Sequence, residues 1–365
     1  MHWHPRGSGA GRGRLSAMTG LLAAACLAAA TGCGSQVAPT ASSRPGAPAA
    51  SGASHGSGGG HGRGERHGLA SAAGALAAGT QSGVSGGALF GGTNSLVSLE
   101  PKLGRKLAIV RLYLFLGDAF PGKFQSVLAG GRTVLVSLDS NGASYASIAA
   151  GQHDAAITSF LQAVNQAAIR YNLGAIYITF EHEPDSSHHR YIGDPAQYVQ
   201  AWDHVHELAQ SEHLDWNDGG RLHWVFILIH NTYSNGRAAM FWPGAPQVDI
   251  VAADGYDSQG CRTGGDNGAV TPSTLFNPLL NFASSHGGLP VFVSEWGSDD
   301  IPPGAQANFI NEMQAYVTGN NKVAAALYWN LGDCNYRVNG HPDAIAALAA
   351  MGKAPALQGH TGGAG

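Results

Sequence analysis

Short apolar runs recur along the chain between residues 83 and 352, with mixed apolar and polar stretches between them. Most runs are apolar at consecutive positions, which is typical of strands buried on both faces of a parallel sheet. We therefore predict eight strands. They are Gly83–Phe90, Leu107–Leu116, Arg132–Leu138, Ala175–Phe180, His223–Ile229, Val248–Ala253, Leu289–Ser294 and Val323–Trp329.

Amphipathic helices are predicted between several of these strands, because apolar residues recur there at helical spacing. Asp194 and Pro195 open one of these helices as its cap and first turn. The three clearest apolar sets are Ile157, Leu161, Val164 and Ala168; Tyr198, Trp202, Val205 and Ala209; and Phe309, Met313, Tyr316 and Val317.

Eight strands alternating with helices predict the α/β class and, within it, a closed (β/α)8 TIM barrel. Residues 83–352 suffice for one such barrel, which needs about 250 residues. The first predicted strand is not followed by a Gly-rich phosphate-binding loop, which disfavours a nucleotide-binding open sheet. Another α/β fold stays the alternative.

Residues 1–33 have the features of an export signal. Three arginines between residues 6 and 14 precede an apolar run from Leu21 to Ala30 that is too short to span a bilayer comfortably. Small residues before Cys33 resemble the lipobox of bacterial lipoproteins, whereas cleavage at Cys26 would divide the apolar run. We expect an exported protein lipidated at Cys33 and anchored at the cell surface. An ordinary cleaved signal, giving a secreted protein, is the alternative.

Residues 34–82 are mostly small and polar. They cannot bury enough apolar surface to offset the entropy of ordering, so we predict a disordered, flexible linker before the barrel domain. We interpret His55, His61 and His67 as solvated side chains, with a metal-binding tract as the weaker alternative. Residues 353–365 are predicted to be a loose tail.

The formal net charge of −4 and the lack of a basic patch in the sequence make nucleic acid an unexpected partner. The predicted mature domain has two cysteines, Cys261 and Cys334. Outside the cytoplasm such a pair is readily interpreted as a disulfide.

Two glutamates follow predicted strands at the end where (β/α)8 barrels carry their active sites. Glu183 follows the fourth strand, and Glu295 follows the seventh. A retaining glycosidase needs two carboxyl groups about 5 Å apart, one as acid/base and one as nucleophile. We therefore expect Glu183 and Glu295 to be catalytic. We expect Glu181 to point away from Glu183, as a solvated or ion-paired neighbour.

Aromatic and polar residues at other strand ends complete the expected site. Tyr256 is placed to donate a hydrogen bond to Glu295, His182 to orient the site or contact the sugar, and Trp329 to support a pyranose ring. A zinc-protease motif would need a second histidine on a helix four residues after His182. That position is Ser186, so we expect no catalytic metal, and we expect no cofactor.

Three stretches of the sequence resemble glycoside hydrolase family 26. They are His182-Glu183-Pro184; the segment from Trp242-Pro243-Gly244 through Val248-Asp249-Ile250-Val251 to Asp254-Gly255-Tyr256; and the segment from Pro290-Val291 through Ser294-Glu295-Trp296-Gly297-Ser298. The resemblance covers the fourth to eighth strands well and the first three loosely. It implies a retaining barrel enzyme of the β-mannanase type.

The resemblance also implies roles for individual residues. Glu183 corresponds to the acid/base and Glu295 to the nucleophile. Tyr256 corresponds to the tyrosine that bonds the nucleophile, His182 to the histidine before the acid/base, and Trp329 to the aromatic residue under the catalytic sugar. We also expect Trp296 to bind substrate.

Two departures from the family pattern concern the sugar-contacting residues. Mannanases of the family usually carry an arginine shortly before the His-Glu pair, where this chain has Thr179 or a neighbour. They also carry a tryptophan-rich segment soon after it, where this chain has Asp185-Ser186-Ser187-His188-His189-Arg190. These departures weaken the interpretation as a β-mannanase more than the interpretation as a glycoside hydrolase.

The sequence thus predicts a retaining, endo-acting hydrolase of a β-glycan, with β-1,4-mannan first and β-1,3/1,4-glucan or β-1,3-xylan next. A non-catalytic, glycan-binding surface lipoprotein is disfavoured because both glutamates are present. An enzyme that trims the cell's own envelope polysaccharide is a further alternative. The expected partners are a polysaccharide and, through the lipid, a membrane; we expect a monomer.

Overall fold

The computed structural model describes residues 82–187, 189, 192–258 and 270–362. Eight parallel strands form a closed sheet, in which β1 pairs with both β2 and β8, and β9 adds to β1 in the antiparallel direction. The predicted TIM barrel is confirmed. The strands are β1 (Val84–Thr93), β2 (Ile109–Phe115), β3 (Thr133–Asp139), β4 (Ile176–Phe180), β5 (Leu222–Ile229), β6 (Ile250–Asp257), β7 (Val291–Ser298), β8 (Val323–Tyr328) and β9 (Gln358–Thr361).

Helices connect the strands of the barrel. The α-helices in the described part of the chain are α1 (Glu100–Leu103), α2 (Gln125–Ala129), α3 (Tyr145–Ala149), α4 (Asp154–Arg170), α5 (Pro195–Ser211), α6 (His230–Ser234), α7 (Pro272–Ser285), α8 (Ala305–Gly319) and α9 (Pro342–Lys353). Short 3-10 turns lie at Asn94–Leu99, Gly122–Phe124, Trp216–Asp218, Ala238–Met240, Ala245–Gln247, Asp333–Asn335 and Pro355–Leu357. No helix in these described ranges is long and apolar enough to cross a membrane.

The helices predicted from apolar spacing are present as α4, α5 and α8, and nearly all of their predicted apolar residues are buried. Tyr316 is the exception, since it is only partly buried against the core. Asp194 caps α5, accepting a hydrogen bond from the Gln197 backbone while the Gln197 side chain accepts one from the Asp194 backbone. This reciprocal cap satisfies two amide groups that the first turn leaves unpaired.

Two apolar clusters form the core of the barrel domain. The larger one packs the helices against the outer face of the sheet. The smaller one fills the interior with residues such as Ile109, Leu135 and Ala252. Because side chains two positions apart in a strand share a face, the next inward positions are Arg111, Ser137 and Asp254. The interior is therefore apolar below and polar towards the C-terminal ends of the strands.

Strands β6 and β7 extend four residues beyond their predicted ends at Ala253 and Ser294. The register between them shifts at Ala253 and Asp254, after which Asp254 pairs with Glu295. Such an irregularity bends a strand locally, and here it lies where the polar residues of β6 begin. The pattern of apolar residues does not reveal that the strands continue past this point.

The prediction that residues 353–365 form a loose tail is wrong as far as Thr361. The first residues of β1 precede the part of the strand that pairs with β2 and β8. They pair with β9 instead, where Val84 lies opposite Thr361. Leu357, just before β9, is fully buried. An exposed strand edge needs such a partner, and a four-residue strand is too short to predict from apolar spacing. The predicted signal, lipobox and nearly all of the linker lie outside the described residues.

We expect Leu357→Ala to lower the free energy of unfolding by about 2–5 kcal/mol, because it removes a buried side chain and leaves a cavity. Urea denaturation measures the loss. The matched control is Ile169→Ala on α4, where the side chain is 54% exposed; it should stay within about 0.5 kcal/mol of the wild type. Equal stabilities for the two variants would contradict a packing role for the C-terminal segment.

Candidate active site

Glu295 is held by three donors near the C-terminal end of β7. Its side chain is almost completely buried. The Tyr113 hydroxyl donates a hydrogen bond to Oε1, and the Tyr256 hydroxyl donates one to Oε2. Arg111 Nη1 lies 3.0 Å from Oε1. The carboxylate is therefore fixed in one orientation by residues from β2 and β6.

Arg111 is a buried cation that joins Glu295 to a second carboxylate. Its Nη1 lies 2.8 Å from Asp254 Oδ1, and Ser294 Oγ donates to the same oxygen over 2.6 Å. Arg111 Nε donates to Ser137 Oγ over 3.3 Å. Arg111, Asp254 and Glu295 are each at most 1% exposed. A buried carboxylate is costly unless it is paired and hydrogen-bonded, and this arrangement meets both conditions.

Glu183 lies opposite Glu295, directly after β4. Its backbone N–H donates to the Ile227 carbonyl over 3.1 Å, which ties the turn to β5. Asp254 lies between the two glutamates in charge as well as in position, since its negative charge acts on both. One carboxylate oxygen from each of Glu183, Asp254 and Glu295 lies within 4.8 Å of the other two. The barrel thus brings together the two glutamates predicted from the sequence, with Asp254 as a third carboxylate.

The environment gives the two glutamates different protonation. Burial, and then the charges of Asp254 and Glu295, raise the pKa of Glu183 well above its usual range. Burial also raises the pKa of Glu295, but the Arg111 charge and the two tyrosine hydroxyls oppose it and leave it at about 7. Close carboxyl groups titrate together, and the first to ionise is the one nearest the cation. Near neutral pH the geometry therefore favours a protonated Glu183 and an ionised Glu295.

Two of the predicted substrate-binding residues lie beside this group. His182 is half-buried, with its ring centroid 5.3 Å from that of Tyr113. Trp329 packs edge-on to Tyr113 and Tyr256, at 5.7 and 6.5 Å between ring centroids. Burial, and then the Arg111 charge, lower the pKa of His182 well below its usual range, so its ring is neutral near pH 7. Trp329 is only 2% exposed, so it presents little surface to solvent.

The prediction that Trp296 binds substrate is wrong. Its side chain is fully buried, edge-on to Tyr328 at 4.9 Å and close to Phe309 of α8 at 6.3 Å. It therefore packs between the sheet and the helices, on the other face of β7 from Glu295. The resemblance covers the sequence around Trp296 but does not show which face of the strand it occupies.

Arg111 and Tyr113 were not predicted as site residues, although they contact the nucleophile candidate directly. The sequence does contain one indication of a role for Arg111, because it is the one charged residue in the apolar run Leu107–Leu116. Thr179 occupies the region where mannanases of the family usually carry an arginine, and it is fully buried. Strand β2 thus supplies a buried guanidinium to a site whose β4 lacks the expected arginine.

The segment after Glu183, where the tryptophan-rich stretch is replaced, is attached to β5 through Asp185. Both carboxylate oxygens of Asp185 accept from the Ile229 backbone, over 3.1 and 3.3 Å. His188 and Arg190 lie outside the described residues, as does Cys261. Cys334 lies in the 3-10 turn after β8. The disulfide between Cys261 and Cys334 stays a prediction.

Of the two surroundings expected for Glu181, solvent or an ion pair, the structure shows a contact with His189, whose Nε2 lies 3.7 Å from Oε2. Glu181 is fully buried, and its Oε1 accepts a hydrogen bond from the Ser140 backbone. Glu181 and Glu183 both have a left-handed backbone, with φ of 52° and 51°. Strand alternation does not apply to such residues, so the neighbours of Glu181 had to come from the structure.

No protein-family model and no curated protein sequence matches the chain. The fold is nevertheless similar to solved structures of family 26 enzymes. GH26C from Muricauda sp. MAR_2010_75 gives a TM-score of 0.55 at 14% identity, over 76% of this chain and 87% of that one. A β-mannanase from Bacteroides ovatus gives 0.55 at 12% identity, over 77% and 92%. A modular endo-β-1,4-mannanase from Cellulomonas fimi gives 0.54 at 17% identity, over 76% and 75%.

These similarities show a (β/α)8 barrel of the kind that glycoside hydrolase family 26 enzymes have, as the sequence motifs predicted. At such identities they show the fold alone. The chemistry of this chain has to be argued from its own residues.

We expect Arg111→Met to lower the free energy of unfolding by about 3–5 kcal/mol at pH 7, because it leaves buried carboxylates without their counter-ion. Since the folded-state pKa of Glu295 is already raised from 4.5 to about 7, its contribution to stability falls as pH rises through that window. Without Arg111 the pKa rises further, so the deficit of the variant should grow with pH. Urea unfolding at pH 5 and at pH 8 measures it.

The double variant Arg111→Met/Asp254→Asn is the control, since it removes one of the uncompensated charges and should recover part of the loss. A stability of Arg111→Met equal to that of the wild type at both pH values would contradict the role of Arg111 as counter-ion.

Proposed function

We propose that the protein is a retaining glycoside hydrolase that cleaves β-glycan chains internally. One observation carries the proposal: Glu183 and Glu295 face each other within 4.8 Å at the mouth of the barrel, in environments that favour a protonated Glu183 and an ionised Glu295. Retaining enzymes place their two carboxyl groups about 5 Å apart, whereas inverting enzymes need roughly 6.5–9.5 Å to admit a water molecule.

In the first step, the Glu295 carboxylate attacks the anomeric carbon and forms a covalent glycosyl ester. The glycosidic C–O bond breaks, and the Glu183 carboxyl gives its proton to the leaving oxygen. Arg111, Tyr113 and Tyr256 hold the attacking carboxylate in place. The negative charge of Asp254 keeps the proton on Glu183 until the leaving oxygen takes it.

In the second step, the ionised Glu183 removes a proton from water, and the resulting hydroxide attacks the anomeric carbon. The ester bond to Glu295 breaks, which restores both carboxyl groups to their starting states. Because each displacement inverts the anomeric carbon, the two together retain its configuration. His182 and Trp329 lie beside the reacting groups. The half-buried His182 contacts the sugar ring, whereas the buried Trp329 packs against Tyr113 and Tyr256.

β-1,4-Mannan is the substrate we propose first. The enzymes from Bacteroides ovatus and Cellulomonas fimi that share the fold are a β-mannanase and an endo-β-1,4-mannanase. β-1,3/1,4-Glucan and β-1,3-xylan come next, because Thr179 and the segment after Glu183 differ from the mannanase pattern at the sugar contacts. A set of soluble polysaccharides with product sizing ranks the three and shows whether cleavage is internal.

We expect Glu295→Ala to nearly abolish hydrolysis of the best polysaccharide. Glu183→Ala should lose about 10²–10⁴-fold on the same substrate, but much less on an aryl glycoside whose leaving group needs no proton. NMR of the first-formed sugar anomer should show retention for the wild type. The exposed Glu207→Ala on α5 is the matched control and should keep full activity.

Three outcomes would contradict this assignment. They are net inversion at the anomeric carbon, an equal loss on both substrates for Glu183→Ala, or undiminished hydrolysis by Glu295→Ala. Failure of the wild type on every glycan, with sugar binding retained, would support the non-catalytic alternative.

We also propose that the protein is exported and anchored by a lipid on Cys33. The support is the order of basic, apolar and small residues before that cysteine. Cys33→Ser should abolish incorporation of labelled fatty acid and release the protein from the membrane fraction, whereas Cys26→Ser should change neither. Labelling that survives in Cys33→Ser and is lost in Cys26→Ser would refute the site.

A further inference from the structure

A second cluster of potential ligand atoms lies beside the candidate active site. It consists of Asp139 at the end of β3, Glu181 just after β4 and His189 in the loop that follows. One donor atom from each residue lies within 4.8 Å of the other two. Because parallel strands end at the same edge of the barrel, β3 and β4 bring the two carboxyl groups together, and the loop brings the imidazole onto them.

Glu181 supplies a buried oxygen that faces this cluster without a hydrogen bond. The residue is fully buried, and only its Oε1 is bonded, to the Ser140 backbone. Oε2 has no hydrogen-bond partner among the described residues, and His189 Nε2 lies 3.7 Å from it. A buried carboxylate oxygen normally has a partner, so this atom calls for one.

The contacts of His189 fix which of its nitrogens faces the cluster. Its Nδ1 lies 2.9 Å from the Glu183 carbonyl oxygen. A carbonyl oxygen only accepts, so Nδ1 carries the proton, and in the neutral ring Nε2 presents its lone pair towards Glu181. Histidines that bind metals usually donate their other N–H to a backbone carbonyl or carboxylate in this way.

The two carboxyl groups of the cluster also have no cationic Lys or Arg partner among the described residues. In the catalytic group Arg111 balances Asp254 and Glu295. In the second cluster, by contrast, the contact of Glu181 is with His189. A bound cation would satisfy both the charge and the unbonded oxygen.

We propose that Asp139, Glu181 and His189 bind a zinc ion. Two carboxylate oxygens and one imidazole nitrogen make three ligands of a tetrahedral site and leave the fourth position for water. The imidazole favours zinc over calcium and magnesium, which prefer oxygen ligands alone. Zinc–ligand distances of about 2.0–2.2 Å require the three side chains to move slightly closer together.

The ion would have a structural role next to the catalytic acid. It would link β3, β4 and the loop after Glu183, and His189 would pass that restraint to the Glu183 backbone through its hydrogen bond to the carbonyl. The site is separate from the group containing Asp254 and Glu295, so the inference goes beyond the proposed hydrolysis and does not depend on it.

Metal content of the full-length protein tests the site. The protein is stripped with a chelator, dialysed against zinc chloride and desalted, and bound zinc is measured by mass spectrometry. We expect the wild type to retain one equivalent more than Glu181→Gln, His189→Ala or Asp139→Asn. His204→Ala is the matched control, because it removes an imidazole that also contacts a carboxylate, Asp154, at 2.7 Å. It should retain as much zinc as the wild type.

Thermal unfolding provides a second measurement. Zinc should raise the melting temperature of the wild type and of His204→Ala, but not that of the three cluster variants, and calcium or magnesium should not replace it. Circular dichroism shows whether each variant is folded. If Glu181→Gln does not fold, His189→Ala still tests the site, because it alters only a partly exposed loop residue.

Two results would overturn the proposal. If all variants retain the same zinc as the wild type, the metal binds elsewhere, for example to the histidines before residue 68. If the folded wild type retains none, Glu181 keeps a proton and shares it within the cluster. Neither measurement uses hydrolysis, so failure of the zinc site and failure of the proposed enzyme activity are distinguishable.

Discussion

The arrangement of the mouth of the barrel depends on the contact of one buried guanidinium, that of Arg111, with two buried carboxylates, Asp254 and Glu295. The cation makes it possible to keep these acids out of water. It also makes the two glutamates unequal, because it stabilises the ionised form of Glu295 and lies farther from the proton on Glu183. The surroundings thereby give two identical side chains different protonation, which the proposed roles of acid and nucleophile require.

The barrel provides this contact through layering. Inward-facing positions of β2, β3 and β6 change from apolar to polar within two residues, from Ile109 to Arg111, from Leu135 to Ser137 and from Ala252 to Asp254. The apolar layer below fills the interior of the barrel beneath the polar layer, and the helices pack against the outer face of the sheet. The register shift between β6 and β7 at Asp254 then sets that carboxylate beside Glu295.

The turn after β4 serves two clusters of carboxyl groups at once. Glu181 and Glu183 are two residues apart, and both have a left-handed backbone, so they do not follow the alternation of a strand. Glu183 faces Asp254 and Glu295, whereas Glu181 faces Asp139 and His189. His189 connects the clusters by bonding the Glu183 carbonyl. The position of Glu183 is therefore tied to a second group of carboxyl and imidazole side chains.

The sequence by itself determined the eight strands, the main helices and the two glutamates at the ends of β4 and β7, because buried parallel strands and amphipathic helices leave local patterns of apolar residues. Only the tertiary structure decided which side chains meet. Arg111 is 143 residues from Asp254 in the sequence and 184 residues from Glu295, and Tyr113 is 182 residues from Glu295. No local pattern encodes contacts over such separations. The strand face of Trp296, the direction of Glu181 and the pairing of β9 with β1 likewise depend on the register of the closed sheet. A sequence pattern shows that a residue lies at a strand end, whereas closure of the barrel determines which residues it contacts there.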